Sequence, residues 1–342
     1  MVCRVRFALL TVLAALAIPA SAGPVGPVHA AETAEAGGAE RTAAFAQWLE
    51  GVRREARGAG IPARTLDAAL AGIAPIDKVI ELDRRQPEFT LSFADYLARA
   101  ARPERVAEGK ELLVRHRALL REVERRYGVP APVIVAMWGI ESDFGRHTGD
   151  YPVVAALATL AFDGRRSRYF RQELINVLKI VQHGIEPDRL RGSWAGAMGQ
   201  CQFMPSTYLK FARSWHGGGA PDIWRTPADV FASTANYLAK SGWNAGHGWG
   251  MAVRLPPGGL RTQGTRRSLK AWAKLGVRLA DGRPLPLRSD PVATLVRADT
   301  PGSEREGPLY LVYGNYHVLT TWNRSVFFAL AAGTLADRLA SK

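Results

Sequence analysis

The chain has 342 residues, 47% of them hydrophobic and 22% charged, with 45 lysines and arginines against 31 aspartates and glutamates and a formal net charge of +14. This balance excludes an intrinsically disordered chain, a collagen-like chain and a repeat array, and the length suffices for one large core with attached subdomains or for two domains. The positive excess suits an anionic polymer or surface as partner.

Residues 1–22 read as a secretory signal. Arg4 and Arg6 form the positive start, Phe7 to Ile18 the apolar stretch, and Ala20-Ser21-Ala22 a small-residue cleavage site. An apolar run of about 12 residues is short of the roughly 20 that a membrane-spanning helix needs. The mature protein is expected to be exported and soluble, with no transmembrane segment, and loss of Arg4 and Arg6 would lower the charge of +14 by two. Export moves the expected partner from nucleic acid to cell-wall glycan or a membrane surface. Cys3 precedes the apolar stretch, where lipid attachment could not use it, so the protein is not expected to be a lipoprotein. Only Cys201 then remains, and no intramolecular disulfide can form. Residues 23–39, rich in Gly, Pro and Ala and without periodicity, are expected to be a disordered linker.

Residues 40–342 carry the folded region. Thr42 to Arg54 sets Phe45, Trp48, Leu49 and Val52 at helical spacing, and Glu104 to Tyr127 does so with Val106, Leu113 and Val123 over a charged opposite face. Between them, Thr65 to Ala71 predicts a short helix and Pro75 to Pro87 an irregular connector. After the break at Gly128 to Pro132, helices are predicted at about 131–143, Tyr151 to Ala161, Tyr169 to Gln182, Pro205 to Arg213 and Thr226 to Ser241. From Gly250 the style changes. Met251 to Leu255, Ala293 to Arg297 and Leu309 to Tyr313 read as short strands, with one helix near Ser268 to Leu275 and a last helix, Arg324 to Leu339, capped by Asn323. The expected class is α+β and mainly helical. It comprises a helical N-terminal part, a central core at about 128–250, a small β-rich segment at about 251–320 and a C-terminal helix at 323–340.

Glu141 carries the clearest chemistry. It follows the apolar run Ala131 to Trp138, where burial and the negative pole of the helix favour the neutral acid. A general acid working near neutral pH needs that. Asp143 stands two positions away, and helical neighbours two apart do not face each other. Asp150 and Asp163 lie in loop-like sequence that nothing requires to approach Glu141. Met137 and Trp138 read as core beside the acid.

Six segments occur in order: Gly139-Ile140-Glu141-Ser142, Ala156-Leu157-Ala158-Thr159-Leu160, Arg165-Arg166, Gly192-Ser193-Trp194-Ala195-Gly196-Ala197-Met198-Gly199, Gln202-Phe203-Met204-Pro205-Ser206 and Ala235-Asn236-Tyr237. Together they resemble the lytic murein transglycosylase B family, glycoside hydrolase family 103, over roughly residues 40–340. The resemblance implies a lysozyme-like fold, a periplasmic location and cleavage of the β-1,4 bond between N-acetylmuramic acid and N-acetylglucosamine in peptidoglycan, leaving 1,6-anhydromuramic ends. It implies a single catalytic Glu141, acid then base, with no cofactor. Substrate-binding roles carry over to Ser193, Gln202, Asn315, Tyr237, Arg165, Arg166 and Tyr96. Peptidoglycan glycan strands are the expected partner, with cell-wall synthesis or divisome proteins beside them. Two positions depart from the family. Some members carry an Asp-rich calcium loop after the Met-Pro-Ser segment, whereas 214–222 here ends in one carboxylate, Asp222, so no metal is expected. Cys201 stands where an aromatic or small residue is usual.

Other functions compete less well. A cysteine hydrolase built on Cys201 and His216 has no visible orienting group. A serine hydrolase, suggested by His216-Gly217-Gly218-Gly219, fails because Ser193 lacks the glycines two places before and two places after that a nucleophile elbow needs. A lysozyme-type hydrolase and a non-catalytic peptidoglycan-binding scaffold are the alternatives that retain the cleft.

Overall fold

The computed structural model describes residues 29–84, 91–258, 264–299 and 306–341. The predicted signal, the first part of the predicted linker and Cys3 lie outside the described residues. The chain opens with helices α1 (His29–Gly58), α2 (Ala63–Leu70), α3 (Asp77–Arg84), α4 (Phe93–Ala100), α5 (Pro103–Arg115), α6 (Arg117–Tyr127) and α7 (Ala131–Ser142). There follow β1 (Tyr151–Pro152), α8 (Val153–Asp163), α9 (Ser167–Gln182), β2 (Arg191–Gly192), α10 (Pro205–Phe211) and α11 (Pro227–Lys240). The last part holds β3 (Gly250–Arg254), β4 (Arg266–Ser268), α12 (Leu269–Lys274), β5 (Arg278–Leu279), β6 (Val292–Arg297), β7 (Leu309–Val312), α13 (Gly314–Trp322) and α14 (Val326–Ala340).

These elements form two compact units interleaved along the chain. One comprises the described parts of Pro87–Phe144 and Phe231–Lys342; the other comprises Gly145–Val230 and the described part of Val12–Gln86. In the first, α7 and α14 are apolar on nearly every side, with Ile134 to Gly139 and Phe328 to Gly333 all buried, so each must be enclosed by other elements. They pack on each other and on α4 and α5. The same unit contains an antiparallel sheet in the order β4-β6-β7-β3-β5, whose register sets Met251 opposite Leu311 and Leu295 opposite Leu311. Trp272 of α12 is fully buried beneath it and donates its indole N–H to the Ala293 carbonyl at 3.1 Å. In the second unit α8 is buried from Val153 to Ala161 and packs on α9, with α2 and α3 against this pair. The short β1–β2 pair closes Tyr151 on Gly192. Gly149 allows that closure, because a Cβ there would lie 2.2 Å from the carbonyl carbon of Gly192.

Several elements differ from expectation. Helix α1 begins at His29, inside the stretch predicted to be a linker, where alanine and glutamate are strong helix formers. The predicted connector 75–87 holds α3, folded because Val79, Ile80 and Asp83 fall on one side and are buried. The single helix expected over 104–127 is broken at His116, whose ring turns inward edge-on to Phe231 at 5.3 Å. The predicted final helix is α14, and α13, which precedes it at Gly314–Trp322, was not expected. Ser325, not Asn323, caps α14 by accepting from the Phe328 N–H, while the Asn323 side chain accepts from the Ser325 N–H.

Candidate active site

Helix α7 ends in an unusual turn. Asp143 and Phe144 both adopt the left-handed backbone, φ 51° and 60°, which costs residues that carry a Cβ. Compensation is local. Arg102 donates to both Asp143 carboxylate oxygens at 2.9 and 3.1 Å, Arg105 adds a third bond at 3.0 Å, and the Phe144 ring folds back edge-on to Trp138 at 5.4 Å. Gly139 makes room for that ring, since a Cβ there would lie 2.8 Å from Phe144 Cε1. Asp143 is therefore an anchor held by two guanidiniums. Of the two carboxylates at this helix end, Glu141 is the one left for chemistry.

Glu141 is half-buried, with Met137 and Trp138 in the core beside it. The indole N–H of Trp322 donates to Glu141 Oε1 at 2.6 Å. Burial pushes the carboxyl up to about 8, and the bond from Trp322, which stabilises the carboxylate, pulls the other way. Tyr237 supports the indole. Its ring meets Trp322 edge-on at 4.6 Å and its hydroxyl donates to the Thr321 carbonyl at 2.9 Å. Sequence reasoning did not find Trp322, because it lies 181 residues from Glu141 on a helix with no motif of its own. Glu141 and Tyr237, each predicted for the site separately, are thus linked through an unpredicted residue.

Asn315 and Tyr96 take interior positions in the same unit. The Asn315 side chain is 1% exposed. Its Oδ1 accepts from the Asn244 N–H at 2.8 Å and its Nδ2 donates to the carbonyls of Asn244 and His247 at 2.9 and 2.7 Å. This amide fastens the loop 244–247. Tyr96 is buried and packs beside Ala331, Phe327 and Ile140.

The second unit carries Ser193, Gln202 and the two arginines. Ser193 Oγ accepts from the Ala197 N–H at 3.0 Å within a tight turn, and its own hydroxyl hydrogen is still available to donate. Gln202 holds a left-handed backbone, φ 50°, and its Nε2 donates to the carbonyls of Thr148 and Gly199 at 3.0 and 2.9 Å. Its carboxamide oxygen takes no part in those bonds. Downstream, buried Glu173 of α9 accepts from both the N–H and the hydroxyl of Ser206 at 2.8 and 2.6 Å, fixing the end of the segment that carries Gln202. Cys201 is buried, its thiol 3.6 Å from the Val230 carbonyl.

Arg165 and Arg166 both turn to Asp83, a carboxylate 2% exposed. Arg165 donates to Asp83 Oδ2 at 2.8 Å and to its carbonyl at 2.7 Å, and Arg166 takes Oδ1. Arg166 also lies over the Phe170 ring at 4.9 Å. Both guanidiniums thus already serve a carboxylate of the protein, because an aspartate buried on α3 needs them. The Arg165 side chain still has half its surface open, so it alone of the two retains a substantial solvent face.

A family model for the transglycosylase SLT domain (SLT_2) matches residues 44–337. The chain belongs to that family. The membrane-bound lytic murein transglycosylase B of Escherichia coli K12 is 31% identical over 295 residues, covering 82% of this chain and 79% of that protein. Among solved structures, SltB3 of Pseudomonas aeruginosa, determined with NAG-NAM-pentapeptide and with NAG-anhNAM-pentapeptide, is 44% identical with a TM-score of 0.81, over 87% of this chain and 80% of that one. The E. coli transglycosylase SLT35 in complex with calcium is 29% identical with a TM-score of 0.70, over 85% and 92%. This transglycosylase accordingly has a lysozyme-like fold and is a lytic enzyme of peptidoglycan.

Calcium does not fit the loop 214–222 of this transglycosylase. Asp229, 5% exposed at the start of α11, accepts from the Trp215 N–H and the Asp222 N–H at 2.8 Å each, closing the loop at both ends. Asp222 accepts from the N–H groups of Trp224 and Arg225 at 3.0 and 3.1 Å and from Arg189 at 2.9 Å. Both carboxylates are spent on the protein, whereas calcium takes six to eight oxygens. Among the described residues no cluster of three or more His, Cys, Asp or Glu is placed to hold a metal ion.

Proposed function

We propose that this transglycosylase cleaves the β-1,4 bond between N-acetylmuramic acid and N-acetylglucosamine with Glu141 as its single acid and base. Protonated Glu141 gives its proton to the departing oxygen. The substrate's N-acetyl group stabilises the cationic C1, and the Glu141 carboxylate then takes the proton of the C6 hydroxyl, whose oxygen attacks C1 to close the 1,6-anhydro ring. The proton lost in the first step returns in the second, and no water is consumed. The observation that carries this reading is the half-buried Glu141 with Trp322 donating to it at 2.6 Å, which suits both protonation states near neutral pH. Asp143, held by Arg102 and Arg105 at the helix end, serves in this reading as an anchor and leaves Glu141 as the working carboxylate.

In this reading Ser193 and Gln202 offer a hydroxyl hydrogen and a carboxamide oxygen to the sugars, Tyr237 sets the acid through Trp322, and Arg165 offers its open face to a substrate carboxylate. Arg166, Tyr96 and Asn315 shape the surroundings. The protein works in the periplasm as an exported, soluble enzyme on glycan strands, alongside cell-wall synthesis or divisome proteins. The E. coli relative is called membrane-bound; no helix among the described residues here is long and apolar enough to cross a membrane.

The test is mass spectrometry of muropeptides released from purified peptidoglycan by the protein and by Glu141→Gln. Anhydromuropeptides from the unsubstituted protein alone are expected. Reducing ends would make it a lysozyme-type hydrolase, and release by the variant would remove Glu141 from the role. Binding to sacculi without release would favour a scaffold.

A further inference from the structure

The β-bearing part of the first unit presents a surface that the catalytic reading leaves unused. From Leu255 to Ala280 the sequence contains no aspartate or glutamate. Within that span the edge strand β4 and helix α12 expose Arg266, Arg267, Lys270 and Lys274 in one continuous stretch. Lys270 and Lys274 share a face of α12, being four residues apart. Arg267 lies over the ring of buried Trp272 at 5.9 Å, which holds its guanidinium beside that helix. None of the four takes part in a salt bridge among the described residues; the acid at hand, Asp290, accepts from the Lys270 backbone N–H at 2.8 Å. Two exposed aliphatic side chains belong to the same segment and the strand paired with it: Leu275, 36% exposed at the end of α12, and Val292, 52% exposed and directly opposite Ser268 in the β4–β6 register.

We propose that this surface docks the enzyme on an anionic lipid bilayer. Clustered lysines and arginines are drawn to anionic headgroups, and apolar side chains beside them can enter the headgroup boundary. A glycan strand would instead call for exposed aromatic faces, and the indole of this segment, Trp272, is buried. Each lysine or arginine brought to such a surface strengthens association by about fivefold, and the attraction decays over about 8–10 Å at physiological salt.

The experiment is co-sedimentation of the purified exported protein with vesicles of phosphatidylcholine alone and of phosphatidylcholine mixed with phosphatidylglycerol. Binding to the anionic vesicles only is expected, falling as salt is raised. The double variant Lys270→Glu, Lys274→Glu should bind them at least tenfold less well while melting at the same temperature and releasing soluble muropeptides at the same rate. Leu275→Ser should weaken binding without changing its salt dependence. Equal binding to neutral vesicles, undiminished binding by the double variant, or loss of sacculus binding in that variant with vesicle binding intact would each overturn the proposal, the last by assigning the surface to the wall polymer.

Discussion

Burial lifts the Glu141 carboxyl and the Trp322 indole N–H lowers it, so the position near 8 is a balance between two neighbourhoods of one side chain. Protonation of the leaving oxygen requires the neutral acid, so kcat/KM should fall as pH rises through about 8. Trp322→Phe removes the donor that stabilises the carboxylate, and the alkaline limb should move upward by about one pH unit in a pH–rate profile. Unchanged limbs would show that the indole does not reach the acid in solution. Glu141→Gln should lower the rate by about a thousandfold or more. Glu141 was legible in the sequence because an acid directly behind a wholly apolar helix is itself a pattern. Trp322 was not, since a tryptophan after two threonines carries no periodic signal and its role exists only once α13 is in place. The same limit applied to Arg165 and Arg166, whose shared partner Asp83 sits in a charged stretch that reads as loop.

At the level of elements, two carboxylates tie segments that periodicity could not connect. Asp83 joins α3 to the turn between α8 and α9, and Asp83→Asn would leave Arg165 and Arg166 without their shared anion. A loss of about 2 kcal/mol is expected in urea unfolding, discounted because Arg165 is half-exposed. Asp229 closes the loop 214–222 through two backbone N–H groups, and Asp229→Asn can accept only one of them. Chymotryptic cleavage after Trp215 should rise several-fold in that variant, while millimolar calcium or chelator should leave the melting temperature of the unsubstituted protein unchanged. A calcium-dependent rise would mean the loop binds the ion after all. The helices α9 and α11 were readable because three- and four-residue spacing survives in their sequences, and α8 because its apolar run is too long for a strand. Helix α3 and the break at His116 were not, since each is decided by what it packs against.

For the molecule as a whole, the acid that works in catalysis weighs on folding. Glu141 is held near 8 in the folded state against an ordinary value of 4.5, so the native protein keeps a proton that the unfolded chain releases. Stability is therefore fullest below the unfolded value and is lost as pH rises from there through the folded one. Relative to the unsubstituted protein, Glu141→Gln should be more stable at pH 8 than at pH 5 by about 2–3 kcal/mol, allowing for the part of the side chain open to solvent; calorimetry at the two pH values checks it. The mainly helical class and the β-rich stretch after Gly250 were legible from composition. The interleaving of two compact units was not, because it depends on the return of residues after 230 to pack with those before 145, and local sequence carries no mark of that return. The bond between Glu141 and Trp322 also sets an order in time. A chain made from its N-terminus carries its acid for 181 residues before the indole that steadies it exists. The finished acid thus arrives only once the chain has been delivered as far as Trp322, and until then the cutter of structural polymer is incomplete.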